Sequence, residues 1–458
     1  MTNSFIAAVL ACALVSGCAV GPDYRRPEIA FPDSHRGATA DAPKDSSLAE
    51  KDWRTVFTDP VLQSLIREAL EAGPDALLAI ARMQEAQALA GISRAPLLPQ
   101  ASLSLNTSPT VRQGGDHLTS SYLGGLGISW EIDLWGRYRR ASEAAQAEFL
   151  ASAEARHGLQ ASLVANVARA YYQLAWLHET LSITERSANN QKDVLHLIKR
   201  LSAAGISSAA EERQQESAVA ATEAGLPTLR QQIAEAENAL SLLLGKHPGA
   251  VHFDATRQLE LPARIPAGLP SQLLEQRPDI RQAEARLIAA NARVGEAKAM
   301  FFPSLSLTAM FGGISTHLAD VVNGRAPTVA SLGPNLLQPL FAGGQIYFNR
   351  EAAQARLDQA VLNYRKAILN ALGEVANALS AYANGGELMA VQARRVEASR
   401  EAMRLAHLRF RAGTANFLEV LDAQRQLLAA ETQQAQALFE RRAALIGIYL
   451  ALGGGWQT

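Results

Sequence analysis

Few side chains in this 458-residue chain could take part in a covalent reaction, and its only two thiols, Cys12 and Cys18, lie within the first twenty residues. The sequence contains no HExxH, GxSxG or CxxC motif and no Walker-type phosphate loop. Of the nine histidines, only His247 and His252 are close in sequence, in a Pro/Gly-rich loop where a solvated role is the commoner one. We therefore predict no catalytic site, no cofactor and no metal site.

The residues before Cys18 have the pattern of an export signal. The apolar run "FIAAVLACALV" has the length of a signal-peptide core and is shorter than the ~20 residues that a membrane-spanning helix needs. It ends in "LVSGC" and resembles a bacterial lipoprotein signal, in which the chain is cut before the cysteine and the thiol takes a lipid. We predict a signal peptide over residues 1–17 and palmitate on Cys18. The alternative is a fully cleaved signal with a chance cysteine at the boundary.

The net charge and the cysteine content limit what the chain is expected to bind and how its fold is held together. The formal net charge is -1, and residues 1–17 carry no charged side chain, so cleavage leaves the value unchanged. A balanced charge does not indicate binding to nucleic acid or to another polyanion. If Cys12 is removed with the signal, one acylated thiol remains, so no disulfide holds the fold together.

The chain contains one structural pattern twice. Residues match at an offset of 204 and, after two predicted strands, at an offset of 208; the matched pairs include Pro74 with Pro278, Gly91 with Gly295, Gly136 with Gly344, and Gly205 with Gly413. The second copy therefore has four extra residues between its strands. Self-similarity of this kind indicates a repeated architecture rather than two independent catalytic domains.

Each copy has the pattern helix, strand, strand, very long helix, turn, helix. Apolar residues recur at steps of three and four along the long segments, and no proline lies between Pro109 and Pro227 or after Pro339. The predicted helices are 137–203, about 100 Å long at 1.5 Å per residue, with 207–244 and 279–299 packed antiparallel to it. We expect Pro227 to kink its helix and residues 384–386, Asn-Gly-Gly, to loosen the second long helix.

The predicted strands at 122–133 and 303–311 alternate apolar and polar residues. This alternation is typical of transmembrane β-strands and equally of strands half buried in a soluble sheet. Four strands cannot close a membrane barrel, since such barrels begin at ~8 strands, and lipid does not tolerate open sheet edges. If the strands cross a membrane, two or three copies must share one barrel, and the long helices would form a tube beneath it.

Five motifs resemble those of TolC-type outer-membrane efflux proteins, in particular the NodT-like lipoprotein group. They are "CAVGPDYRRPE" from Cys18, "WEIDLWG" from Trp130, "IPAGLPSQLLEQRPDI" from Ile265, "AKAMFFPSLSLTA" from Ala297 and "RFRAGTANFLEVLDAQR" from Arg409. The resemblance implies a mostly helical chain with four strands in a shared, trimeric, twelve-stranded transmembrane β-barrel above a long periplasmic α-helical tunnel. The implied function is that of an outer-membrane exit duct, which receives small toxic compounds from a periplasmic adaptor and an inner-membrane transporter.

The same resemblance assigns roles to the two predicted turns between long helices. The second turn places Leu418, Asp422 and Arg425 at a periplasmic gate. From the residues alone, the favoured interpretation of Asp422 and Arg425 is a surface pair at i, i+3, worth ~0.2–0.5 kcal/mol. The residues assigned to adaptor contact are Gly205, Ser208, Glu211 and Gly413.

The segments expected from these observations are a signal peptide at 1–17, a lipidated segment at 18–58, a first efflux repeat at 59–245, an equatorial linker at 246–270, a second repeat at 271–453 and a tail at 454–458. The predicted location is the bacterial outer membrane, with Cys18 as the lipid anchor. Two other functions compete with the duct. A periplasmic helical lipoprotein acting as scaffold or adaptor would explain the lipid and the helices but not the matched strands. A secreted enzyme would lack any recognisable motif.

Overall fold

A computed structural model of the protein describes residues 19–37, 47–111, 118–251, 261 and 265–456. The predicted signal peptide and Cys18 lie outside these described residues. The helices and strands, in chain order, are α1 (Trp53–Val56), α2 (Pro60–Ala72), α3 (Pro74–Arg94), β1 (Gln100–Val111), β2 (Leu118–Ile132), α4 (Arg137–Ala203), α5 (Ala209–Leu243), α6 (Leu273–Gln276), α7 (Pro278–Ala299), β3 (Ser304–Ser315), α8 (Leu318–Val322), β4 (Thr328–Leu337), α9 (Gln345–Arg411) and α10 (Phe417–Ala451).

The predicted internal repeat is present in the structure. Helices α4 and α9 both have 67 residues, and α5 and α10 both have 35. Their boundaries differ by the offset of 208 found in the sequence, and α3 and α7 begin at prolines 204 positions apart. The short helix α8 lies between β3 and β4, where the second copy carries its extra residues. The long helix predicted over 137–203 is confirmed, and the two shorter helices agree within two residues at each end.

Two positions expected to disturb helices remain helical. Helix α5 continues through Pro227, and α9 is unbroken at Gly385 and Gly386. The loosening expected at residues 384–386 was therefore wrong. The glycines instead leave room for Arg441 of α10, whose side chain lies 3.5 Å from where their Cβ atoms would be and whose guanidinium sits 4.9 Å from the centre of the Tyr382 ring.

The four strands form one antiparallel sheet in the order β1-β2-β3-β4. Because side chains alternate across a strand, cross-strand partners share a face. One face carries Leu103, Leu126 and Phe311, which are directly paired and 85%, 46% and 63% exposed. The opposite face is mostly polar; it carries Ser102, Ser104, Asn106, Ser129, Ser306, Thr308 and Asn335, together with the apolar Leu123, Met310 and Leu337. Strands β1 and β4 are the sheet edges, and neither has a second strand partner among the described residues.

No helix in the described part of the chain combines the length and the apolar character needed to cross a membrane.

The chain divides into two compact units, each of which uses parts of both repeats. The first comprises residues up to Ile29, Arg82–Glu154 and Arg281–Lys366. Its core includes Val294, Ala297 and Ala353. The second comprises Ala30–Ala81, Ala155–Ile280 and Ala367–Thr458. Its largest fully buried side chains are aromatic: Trp53, Phe57, Tyr171, Tyr172, Phe417 and Tyr449, the last of which packs edge-on against Phe57.

A buried arginine joins three elements of the second unit. Arg277, the residue before α7, is only 7% exposed. Its guanidinium donates to Asp279 and Glu374 at 2.7 Å each and to the carbonyl oxygen of Ala451, at the end of α10, also at 2.7 Å. The planar fork of arginine suits several acceptors at once, so this side chain ties the start of α7 to α9 and α10.

Replacing this arginine should destabilise the fold. Removing one partner of a buried ion pair costs 3–5 kcal/mol; the carboxylates here are half exposed, so Arg277→Ala should cost about 3 kcal/mol of unfolding free energy. Denaturant titration of the detergent-solubilised protein measures this loss. Arg404→Ala is the matched control, because its pair with Glu401 is fully exposed and its loss should leave the stability nearly unchanged. Equal losses in both variants would contradict the assigned role of Arg277.

Candidate functional site

The first turn between long helices is built by a glycine and a capping box. Helix α4 ends at Ala203, and Gly205 has φ +74°, a left-handed conformation in which glycine carries no steric penalty. Ser208 caps α5: its hydroxyl accepts from the N–H of Glu211, and the Glu211 carboxylate accepts from the N–H of Ser208 at 2.9 Å. The hydroxyl of Ser207 and the N–H of Ser208 together hold the pKa of Glu211 below its ordinary value. The carboxylate is thus part of the turn itself.

The second turn repeats this geometry with different side chains. Gly413, after the end of α9, has φ +73°, and the side chain of Asn416 caps α10 by accepting from the N–H of Leu418 at 3.0 Å. Arg409 and Glu419 form an ion pair across the turn at 2.9 Å. Two glycine turns at equivalent repeat positions therefore have the same backbone design.

Below the second turn, α10 is anchored by its buried face. Phe417 and Val420 are fully buried and pack with Ile198 of α4 and Ala406 of α9. The ring of Phe417 lies 5.2 Å from that of Phe410. These contacts fix which face of α10 points away from the core. The spacing of Phe417 and Val420 in the sequence is the signal of this buried helical face.

The three predicted gate residues lie on the outward face of α10. Leu418 is 52% exposed, and Arg425 donates to Asp422 at 2.6 Å. Asp422 also accepts from Gln426, one turn along the helix. The side chains of Asp422 and Arg425 are 47% and 82% exposed, so solvent weakens their pairing. The structure thus brings the predicted gate residues together, as an exposed pair beside an exposed leucine.

These gate residues border a groove between α5 and α10, which we call the α5–α10 groove. Its volume is about 600 Å³, and its walls are formed by Gln191 of α4, by Gln214, Ser217, Ala218, Ala221 and Thr222 of α5, and by Leu418, Leu421, Asp422, Gln424, Arg425 and Leu428 of α10. The groove has no cluster of ionisable groups suited to catalysis. It is instead a cleft with a mixed polar and apolar lining beside the exposed ion pair.

Buried amides separate α4, α5 and α10 near this groove. Gln215 is fully buried and donates to the carbonyl oxygen of Gln191 at 2.7 Å, while Thr222 donates to the Gln191 side chain at 2.9 Å. Gln424 is 5% exposed, and neither its amide nitrogen nor its amide oxygen has a partner among the described residues. Gln424 also lines the α5–α10 groove.

Further along α10, charged side chains are packed closely. Glu431, only 19% exposed, pairs with Arg400 at 3.2 Å and Arg186 at 3.6 Å. Arg442 is buried against the face of Tyr172, 5.4 Å from the ring centre, and burial lowers the pKa of its guanidinium. These contacts connect α10 with α4 and α9.

The "GPDYRR" segment binds side chains of α7 and α4, a role that the sequence alone did not indicate. Residues 19–29, the N-terminal strap, cross α7 within the first unit. Arg26 forms a bidentate pair with Glu284 at 2.7 and 2.8 Å, and Asp23 accepts from the buried Arg140 at 2.9 Å. The backbone of Gly21 lies directly on Gly295, where an added Cβ would be 2.5 Å from the neighbouring Cα.

The assigned adaptor-contact residues fall into two groups. Gly205, Ser208 and Glu211 share the first turn, and Gly413 lies in the second. Among the residues that the structure describes, no three His, Cys, Asp or Glu side chains form a cluster able to hold a metal ion.

Comparison with known proteins decides the family. The profile of the family described as "Outer membrane efflux protein" matches residues 65–246 and 269–454, which is most of the chain. The chain belongs to the outer membrane efflux protein family. The TolC-type resemblance derived from its motifs is thus confirmed.

Relatives match along their whole length. The chain is 33% identical to the toluene efflux pump outer membrane protein TtgC of Pseudomonas putida, over 100% of this chain and 96% of that protein. It is also 33% identical to the cation efflux system protein CusC of Escherichia coli, over 97% of each. Among solved structures, the outer-membrane channel OprN superposes with a TM-score of 0.88 at 35% identity, covering 96% of this chain and 100% of that one. The predicted fold class, that of outer-membrane efflux channels, is confirmed.

Proposed function

We propose that this protein is the outer-membrane exit duct of a tripartite efflux pump. The observation that carries the proposal is the four-stranded sheet with one exposed apolar face, one polar face and two unpaired edges. Such a sheet suits lipid on one side and a water-filled passage on the other. Family membership and the match to outer-membrane channels support the same function.

Three copies share one barrel in this proposal. Open edges are costly in lipid because their N–H and C=O groups lack partners, and one chain has too few strands to close on itself. Pairing β4 of each copy with β1 of the next removes every edge. Family resemblance favours three copies, giving twelve strands with the polar faces lining the passage.

The proposed cargo consists of small toxic compounds, and the protein transforms none of them. The curated relatives are named for toluene and for cations, two chemically different cargoes, and the match covers 96% and 97% of their chains. A shared passage with a polar lining explains that range better than a shaped binding pocket does. The protein on this account is a conduit rather than an enzyme.

The partners in this proposal are a periplasmic adaptor and an inner-membrane transporter. We assign Gly205, Ser208, Glu211 and Gly413 to adaptor contact because the two turns have equivalent glycine geometry. A trimer would therefore present six similar turns in total to its adaptors. The capping carboxylate of Glu211 distinguishes the first turn from the second chemically.

The gate in this proposal is formed by Leu418, Asp422 and Arg425 from each copy. Three Asp422 carboxylates around a narrow axis repel one another and attract cations, while Arg425 neutralises them. The exposed pair is worth at most ~1 kcal/mol per copy, so the closed state is weakly held and adaptor binding can shift it. The unsatisfied Gln424 on the same helix is consistent with a segment that repacks on opening.

Loss of the gate contacts should open the duct. In planar bilayers, Asp422→Ala, Arg425→Ala and Leu418→Val should raise mean single-channel conductance, because three weakened contacts together shift the equilibrium by up to ~3 kcal/mol. Asp422→Ala should also lower cation selectivity.

The matched control is Glu211→Ala, at the turn assigned to the adaptor. It should leave conductance at the wild-type value but reduce efflux from intact cells. Traces indistinguishable from wild type in all three gate variants would place the constriction elsewhere, and absence of conductance in the wild type would reject the duct.

We also propose that the chain is a lipoprotein anchored through palmitate on Cys18 in the inner leaflet of the outer membrane. The strap begins directly after this residue, and its ion pairs with Glu284 and Arg140 would hold the anchor to the first unit. Several acyl chains bind a membrane firmly, at ~0.8 kcal/mol per buried CH₂.

Labelling of growing cells with radioactive palmitate tests the anchor. The wild type and Cys12→Ser should be labelled, because Cys12 leaves with the signal, whereas Cys18→Ser should not. Equal labelling of the Cys18→Ser variant would exclude lipid attachment at this residue.

A further inference from the structure

A second cavity lies further along α10, where this helix meets α4 and α9, and we call it the Arg442 cavity. Its volume is about 440 Å³, which falls in the usual range for sites that bind small organic molecules. None of the gate residues and none of the turn residues lines it. Its chemistry is therefore separate from that of the gate and of the adaptor contacts.

The wall of this cavity contains a buried cation without a carboxylate partner. Arg442 is 8% exposed, and its guanidinium lies over the face of Tyr172, 5.4 Å from the ring centre. Among the described residues, its Nε–H has no hydrogen-bond acceptor and no carboxylate pairs with it. Because a charge removed from water is costly unless it is paired, an anion that enters the cavity stabilises this guanidinium.

An aromatic surface lies beside this cation. Trp176 of α4 and Phe439 of α10 are stacked, with ring centroids 5.5 Å apart and an angle of 15° between the ring planes, and both residues line the cavity. The indole N–H of Trp176 is also buried without an acceptor in the part of the chain that the structure describes. The cavity thus combines polar donors that lack acceptors with a planar apolar surface.

The other charged residues of the wall largely neutralise one another. Arg186 and Arg400 both pair with Glu431, at 3.6 and 3.2 Å, and the remaining carboxylate, that of Glu179, is exposed. Three cations and two carboxylates line the cavity, which leaves one excess positive charge. Arg442 is the cation without an ionic partner, so a singly charged anion suits the cavity better than a cation or a dianion does.

The packing of long helices does not by itself require these side chains. At the repeat offset of 208, the equivalent positions are small or polar: Ser380 for Tyr172, Asn384 for Trp176, Gln231 for Phe439 and Ala234 for Arg442. Helices of the same lengths form with either set of residues. The aromatic and basic set is therefore specific to one place in each chain rather than a general feature of the repeat.

We propose that the Arg442 cavity binds an aromatic monocarboxylate, one molecule per chain. The carboxylate accepts from the Arg442 guanidinium, in a charge-assisted hydrogen bond that is stronger than one between neutral groups. The ring of the ligand packs against Trp176 and Phe439. The site lies within one chain, so this inference goes beyond the proposed duct and does not depend on the closure of a shared barrel.

Binding of cinnamate tests the site. The full-length protein in detergent is dialysed to equilibrium against radiolabelled cinnamate, and micelles without protein give the background. The wild type should bind one cinnamate per chain saturably. Arg442→Gln should weaken binding about tenfold or more, because a hydrogen bond to a charged group contributes at least roughly that factor. Arg442→Lys, which keeps the charge but loses the planar fork, should bind with intermediate affinity.

The matched control is Arg394→Gln. It removes the same charge from an exposed position on α9 outside the cavity, so it should bind cinnamate with wild-type affinity. A second comparison needs no variant: cinnamyl alcohol has the same ring and chain without the negative charge and should bind the wild type about tenfold more weakly than cinnamate, or weaker still.

Three results would each overturn the site. The first is absence of saturable binding by the wild type at millimolar cinnamate. The second is equal affinity of the wild type and Arg442→Gln, or an equal loss in Arg394→Gln, which would show that cinnamate binds elsewhere or responds only to net charge. The third is equal affinity of the wild type for cinnamate and cinnamyl alcohol, which would remove the guanidinium from the interaction whether or not the Arg442 variants fold.

Discussion

The constraint on which the structure depends is that four strands leave two sheet edges open. Every backbone N–H and C=O group in lipid must be paired, and the described chain cannot pair β1 and β4 by itself. The apolar face, with Leu103 and Leu332 more than four-fifths exposed, is equally unsuited to water. In the proposed duct, association of copies pairs the sheet edges and lipid covers the apolar face.

The long helices, like the strands, occur twice with equivalent lengths and positions. Equal lengths of α4 and α9, and of α5 and α10, place two glycine turns at equivalent positions, so that a ring of three copies has near sixfold character. The residues to which we assign functions lie where the two repeats differ. Glu211 caps one turn, and the Asp422–Arg425 pair follows the other.

Much of this architecture could be predicted from sequence because it depends on local signals. Glycines such as Gly205 and Gly413, the absence of proline from the long segments and the offsets of 204 and 208 located the helices almost to the residue. Contacts between distant segments could not be found this way. Asp23 with Arg140 and Arg277 with Glu374 join residues about one hundred positions apart, and Gly385 looked like a helix breaker because Arg441, which fills the space beside it, lies on another helix.

In the proposed assembly, three copies of this chain together form the complete wall of one duct. Native mass spectrometry of the protein extracted from outer membranes in mild detergent tests it most directly, because the mass counts chains without assuming a shape. The account predicts a single dominant species of three chains that persists on dilution. A stable single chain, with its sheet edges unpaired in the same detergent, would contradict the shared barrel and the duct built on it.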